Sequence, residues 1–205
     1  MRKSIVIVTV LGLLLAGAAR AERFEIQAGS DDNLIVFKSH APLETFEGKT
    51  HRVWGFVELD PGSVGDSITV RVEVDMADLD TGIGLRNKHM RENHLETETY
   101  PTSTFTGATI LGPVPSSLEP GETVKYVMVG SMNLHGVKRK LRAPVEMTLE
   151  EDKGERRLRV TSRFPVKLDH YDISRPKFLM LQVDEVQQVR IELTAVSRSE
   201  KADTR

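Results

Sequence analysis

The chain of 205 residues contains no cysteine. That excludes a disulfide framework and a lipid-attachment thiol. Stability must come from an apolar core, and a chain of this length can bury one. Aromatic residues make up only 5% of the chain, with a single tryptophan, so the apolar positions are largely aliphatic. Basic residues are not in excess: 28 Lys and Arg stand against 30 Asp and Glu, for a net charge of −2. A nucleic-acid binder is usually basic, so no nucleic-acid partner is expected. Gly-x-Ser-x-Gly and His-Glu-x-x-His are both missing, which removes the hydrolase elbow and the metal helix from consideration. The six histidines are scattered. His89 and His94 are five apart and would not share a face of an α-helix. His40, His51, His135 and His170 fall at strand ends or turns. No metal site is expected from these spacings.

A long apolar run occurs at the N-terminus. Arg2 and Lys3 precede Ile5 to Leu15, and Ala19-Arg20-Ala21 is a small-residue cleavage pattern. The run is too short to span a bilayer. Residues 1–21 therefore read as a signal peptide and residues 22–205 as one exported domain. An uncleaved anchor and a cut after Ala18 are the alternatives. Cleavage after Ala21 removes three basic residues and no acidic one, so the mature chain is more acidic still.

The mature segment alternates with period two over most of its length. Asn33 to Lys38, Val53 to Leu59 and Ile68 to Met76 read as strands. Thr102 to Thr109 continues the series. Tyr126, Met128, Gly130, Met132 and Leu134 share one face, His135-Gly136 turns a hairpin, and Leu141, Ala143, Val145, Met147 and Leu149 return along the same wall. Leu158 to Leu168 and Val189 to Ala195 complete about eight strands, each with one apolar face. Leu111 to Gly121 reads as a loop ordered at its ends. One wet and one dry face mark an antiparallel sheet. Such a sheet buries its dry face in a sandwich or a closed barrel, and periodicity does not choose between them.

Leu79 to Gly107 breaks the alternation. Asp80-Thr81-Gly82 is a turn, and Leu85 to Glu96 reads as one short helix. Leu85, Met90 and Leu95 are five apart, so no clean α-helical stripe forms. Tyr100-Pro101 then forces extended backbone.

These residues carry a resemblance. Thr81-Gly82, Arg86-Asn87-Lys88-His89-Met90-Arg91, Tyr100-Pro101 and Thr104-Phe105 resemble the signature of the YceI-like family of periplasmic polyisoprenoid-binding proteins. Val36-Phe37-Lys38-Ser39-His40 is similar to the family's first strand, and Leu134-His135-Gly136-Val137-Lys138 to its later hairpin. The family usually has Arg-Asp where this chain has Arg86-Asn87. The segment Tyr171 to Leu181 also departs from the family pattern.

The resemblance implies an all-β fold: an eight-stranded antiparallel lipocalin-like barrel with one short helix covering an opening. It implies a carrier rather than an enzyme. The ligand would be a lipid-like small molecule in an apolar lumen, a polyisoprenoid such as an isoprenoid quinone, with no cofactor required. A fatty acid or fatty amide carrier, and a structural barrel with a filled core, are the alternatives. On residues alone, the inward methionines pack a core as readily as they line a lumen. The candidate lumen residues are Phe37, Val70, Val72, Val74, Tyr126, Met128, Met132, Val160 and Phe164. Leu85, Met90 and Leu95 are the helix's candidate inward contacts. Arg86 and His89 would hold a headgroup, or brace the Asp80-Thr81-Gly82 turn. Lys138, Arg139, Lys140, Arg142, Arg157, Arg159 and Arg163 would form a basic patch touching a membrane surface transiently, or a solvated face paired with Glu146 and Glu150. A periplasmic location is implied, and a homodimer is allowed.

Overall fold

The computed structural model describes residues 21–42, 44–65, 68–114, 116–178 and 181–197. The signal-peptide segment and the tail from 198 onward lie outside them.

Period-two alternation produces twelve strands among the described residues. They are β1 (Glu22–Ile26), β2 (Leu34–Ala41), β3 (Glu44–Thr50), β4 (Val53–Leu59), β5 (Ile68–Asp75), β6 (Thr102–Leu111), β7 (Thr123–Leu134), β8 (Val137–Asp152), β9 (Glu155–Lys167), β10 (Lys177–Phe178), β11 (Leu181–Gln182) and β12 (Val186–Ser197). The ring runs β1-β4-β5-β6-β7-β8-β9-β12, and β12 pairs back onto β1. Every pairing is antiparallel. The ring is thus the expected closed eight-stranded barrel, and closure removes exposed strand edges.

One ring member differs from the expectation. The first strand expected, Asn33 to Lys38, corresponds to β2, which pairs with β12 but continues into the β2–β3 hairpin. The ring closes through β1, where Ile26 lies opposite Ala195. β1 has only Phe24 and Ile26 as alternating apolar residues, too short a pattern to stand out. β3 reads ETFEGKT and has almost no apolar alternation. It forms because β2 offers it a partner.

β1 then β2 follow each other along one edge of β12, and β3 then β4 run back beside them. The four strands make one long hairpin bent at its middle. Asn33 holds the bend. Its side chain is fully buried, Nδ2 donates to the Gln27 carbonyl at 2.9 Å, and Oδ1 accepts from the Thr194 amide at 2.8 Å. His51 Nδ1 donates to the Asn33 carbonyl at 2.6 Å. Gly55 is required on β4: its φ is +142°, and a Cβ there would lie 2.0 Å from the Arg71 carbonyl oxygen.

The bend gives the barrel unlike ends. One is packed shut by Phe24, Leu59, Leu149 and Leu158, with Val64 and Leu118 inserted from the connecting loops. Leu118 corrects the expectation for the loop after β6. It is buried, and its amide donates to the Pro61 carbonyl at 2.7 Å. At the other end lie the β2–β3 turn, the β7–β8 turn and the helical excursion. His135 (φ 52°) and Gly136 (φ 75°) make the tight β7–β8 turn, as the hairpin pattern implied.

The excursion is an α-helix, α1 (Gly84–His89), running into a π-helical turn, Met90–His94. The Leu95 amide donates to the Met90 carbonyl at 2.8 Å, five residues back. A second short helical element, the 3-10 turn Leu168–Tyr171, also lies at this end; only one helix was expected.

Candidate functional site

Between the packed end and the helical end the barrel encloses a cavity of about 770 Å³. That is within the range of small-molecule sites. Its walls are aliphatic because the inward parity of each strand is aliphatic. β5 contributes Val70, Val72 and Val74; β7 contributes Tyr126, Met128 and Met132; β9 contributes Val160 and Phe164; β2 contributes Phe37. The excursion contributes Leu85, Arg86, His89, Met90 and Leu95 at the mouth. All fourteen candidate positions therefore fall on one cavity.

Their roles are corrected in two respects and narrowed in a third. Leu85 is not a buried contact: it is 64% exposed, beside Ile83 at 50%, on the rim. The buried residue of α1 is Asn87. Second, the five-residue spacings belong to the π turn. A π-helix bonds i to i+5 and brings such residues nearly onto one face. Met90 and Leu95 both line the cavity, and so do His89 and His94, which an α-helix would separate.

Third, Arg86 spends three of its five N–H donors within the protein. Nε donates to Thr81 Oγ1 at 2.9 Å, Nη2 to the Thr81 carbonyl at 3.0 Å, and Nη1 to Glu44 Oε1 at 2.7 Å. Its guanidinium carbon sits 4.1 Å over the Phe46 ring. This is the bracing geometry, and it ties the helix to β3. Asn87 completes the brace. Its Oδ1 accepts from the Thr81 amide at 2.8 Å and the Thr81 hydroxyl at 2.7 Å, and its Nδ2 donates to Asp80 Oδ1 at 2.6 Å. The Asp80 carboxyl is held below its ordinary range, first by the Gly82 amide and then by Asn87. Asparagine fits between a carboxylate and two donors because it offers both a donor and an acceptor.

His94 Nδ1 donates to the Ser174 carbonyl at 3.0 Å. Burial pushes its imidazole below the ordinary range, more than the Ser174 bond raises it. It is neutral at neutral pH. Ser174 belongs to the stretch that departs from the family pattern. Ile173 and Pro176 of that stretch line the mouth, and Arg175 donates to the carbonyl of Val183, a lining residue just beyond it, from Nε at 3.0 Å and Nη2 at 2.7 Å. Deeper in, the Tyr126 hydroxyl has only the Met147 sulfur as partner among the described residues, at 3.6 Å. Burial pushes that phenol above its ordinary range.

The expected set missed the polar lining residues Ser39, Glu44, His94, Ser103, Ser162 and Gln187; Ser39 and Gln187 bear most on the lumen. The signal was available. Ser39 shares parity with Phe37, and Gln187 with Val189 and Ile191, so each is a polar residue at an inward position.

The basic clusters divide. Arg159 pairs with Glu150 at 3.0 Å, Arg157 pairs with Glu155, and Glu146 pairs with Lys125 at 2.7 Å. Arg139 donates to the His170 carbonyl. Lys138, Lys140, Arg142 and Arg163 make no ion pair among the described residues. No three His, Asp or Glu side chains among the described residues are grouped to hold a metal ion.

Solved structures share this architecture. A polyisoprenoid binding domain from Saccharophagus degradans, implicated in plant cell wall breakdown, matches with a TM-score of 0.65 at 17% identity, covering 87% of this chain and all of that one. Burkholderia cenocepacia BcnA matches with a TM-score of 0.64 at 18% identity over 80% of this chain and 96% of that one. A Campylobacter jejuni YCEI protein matches with a TM-score of 0.58 at 13% identity over 97% of this chain and 100% of that one. At these identities the likeness is one of fold. No curated protein sequence matches the chain. The model of the YceI-like domain matches residues 27–195, spanning the barrel from the bend after β1 to the last strand, and the chain belongs to the YceI-like family.

Proposed function

We propose that this protein is an exported carrier that holds an isoprenoid lipid, such as an isoprenoid quinone, in its barrel lumen. The observation that carries the reading is the cavity of about 770 Å³, walled by Val, Leu, Ile and Met and closed at one end. A chain inserted there exchanges water for hydrocarbon at about 25 cal/mol per Å² of apolar surface. Thioether side chains such as Met128 and Met132 adapt to a branched, flexible chain. Family membership and the polyisoprenoid-binding neighbour support the same ligand class. The role is sequestration or transport, not catalysis, and the signal-like N-terminus supports a periplasmic site of action. Exposed Ile83 and Leu85 flank the mouth, where a transient contact with a membrane would let the lipid pass.

Titration of a fluorophore-loaded sample with a long-chain isoprenoid quinone tests this. Saturable one-to-one displacement is expected. No displacement at any concentration would contradict the reading.

A further inference from the structure

The inner face of β2 runs Ile35, Phe37, Ser39 toward the mouth, and that of β12 runs Ile191, Val189, Gln187. The register places Phe37 opposite Val189 and Lys38 opposite Gln188. The paired register ends there; Ser39 and Gln187 are the next residue on each strand, and both line the lumen. The Asp184 amide donates to the His40 carbonyl at 2.7 Å and keeps the two segments together beyond them.

Ser39 is 2% exposed and Gln187 6% exposed. The Ser39 hydroxyl has no hydrogen-bond partner among the described residues. Gln187 Nε2 donates to the Asp184 carbonyl at 2.6 Å, which fixes the amide, and Oε1 accepts nothing there. Neither atom is sealed in the wall: among the described residues the fully buried side-chain atoms without a partner are Asn133 Oδ1, His135 Nε2 and Arg156 Nε, so Ser39 Oγ and Gln187 Oε1 are open to the lumen. Here a donor and an acceptor stand unused on the wall of an apolar cavity.

Charge narrows what they can meet. Apart from its imidazoles, the cavity's charged lining residues are Glu44 and Arg86, which neutralise each other at 2.7 Å.

We propose that Ser39 and Gln187 form the headgroup subsite for a neutral amphiphile bearing a hydroxyl, whose chain fills the lumen. This rests on the lumen-carrier reading above. The Ser39 hydroxyl donates to the ligand oxygen, and Gln187 Oε1 accepts the ligand's proton. A hydroxyl satisfies both because it is donor and acceptor at once. A bare hydrocarbon leaves both unpaired. A carboxylate meets no free cation among the described lining residues and faces Gln187 Oε1 with like polarity, so its charge is buried at a cost.

Three probes on one skeleton test this: farnesol, farnesoate and farnesane, each displacing the same apolar fluorophore from the full mature protein at neutral pH. Farnesol is expected to bind most tightly. Ser39→Ala is expected to weaken farnesol about tenfold and leave farnesane unchanged, as the loss of one hydrogen bond implies. Because Ser39→Ala removes no bond within the protein, its melting temperature should not fall. Gln187→Met should narrow the same farnesol-to-farnesane ratio, and that ratio stays readable if the variant is less stable. Farnesoate binding above farnesol, or a ratio unchanged in both variants, overturns this inference alone. Failure of all three probes to bind overturns the lumen reading, and this inference with it.

Discussion

At the scale of single residues, the geometry favours one of two roles for Arg86. Three of its five N–H donors go to Thr81 and Glu44, which is the geometry of a brace that holds the helix in place. Glu44 is half exposed, so little of the energy comes from that ion pair. Most comes from the charge-assisted bonds to Thr81. Arg86→Ala should cost the ligand-free protein about 1–3 kcal/mol, read by urea unfolding. Unchanged stability with a large loss of ligand affinity would return Arg86 to the headgroup. Asn87 is the second residue whose identity matters. Asp80 contributes stability above the ordinary carboxylate range, and that contribution is lost as pH falls through its lowered pKa. Asn87→Asp restores the family's usual residue but sets a carboxylate where Nδ2 now donates to Asp80. The variant should be less stable than the natural chain at neutral pH. The gap should close below about pH 5, as one of the two carboxylates takes a proton. A gap independent of pH would contradict this account of Asp80.

At the scale of elements, the strands with long alternation were legible: β5, β7, β8 and β9 each carry several inward apolar residues in strict register. β1 and β3 were not, because one is too short and the other too polar, and both form through their partners. The excursion was legible as a helix but not as a π turn. Nothing in local propensity announces an extra residue per turn, yet the five-residue spacing of Met90 and Leu95 is what such a turn requires. The extra residue is testable by removing it. Deleting Glu92, which is exposed and holds only a 4.0 Å pair to Lys88, should let the turn relax to α-helical geometry. Leu95 would then stand four residues from Met90 and keep its face, because i and i+4 align on an α-helix much as i and i+5 do on a π turn. Release of a bound apolar fluorophore, measured by stopped flow, should therefore stay close to that of the natural chain. Several-fold faster release would show that the π turn itself positions the cover.

At the scale of the whole molecule, the barrel and its cavity follow from inward aliphatic parity, a bent four-strand hairpin and one packed end. Parity in the sequence identified the lining. It could not distinguish lumen from core, since both need the same inward residues; the separation of the two apolar clusters around a cavity is a tertiary outcome. Residues 1–20 lie outside the described structure, and their role rests on sequence pattern. N-terminal sequencing of exported protein should begin Glu22-Arg23-Phe24; retention of Met1 would contradict cleavage. The central claim is that the cavity holds a lipid. The direct measurement is mass spectrometry of organic extracts from equal amounts of the purified protein and Val72→Trp, which places an indole in the mid-lumen wall. The account predicts an isoprenoid lipid from the natural chain, little or none from the variant, and a destabilisation below the roughly 1–3 kcal/mol typical of an overpacked core. Equal lipid recovery from both, or none from the natural chain, with a strongly destabilised variant, would contradict it and leave a filled structural barrel.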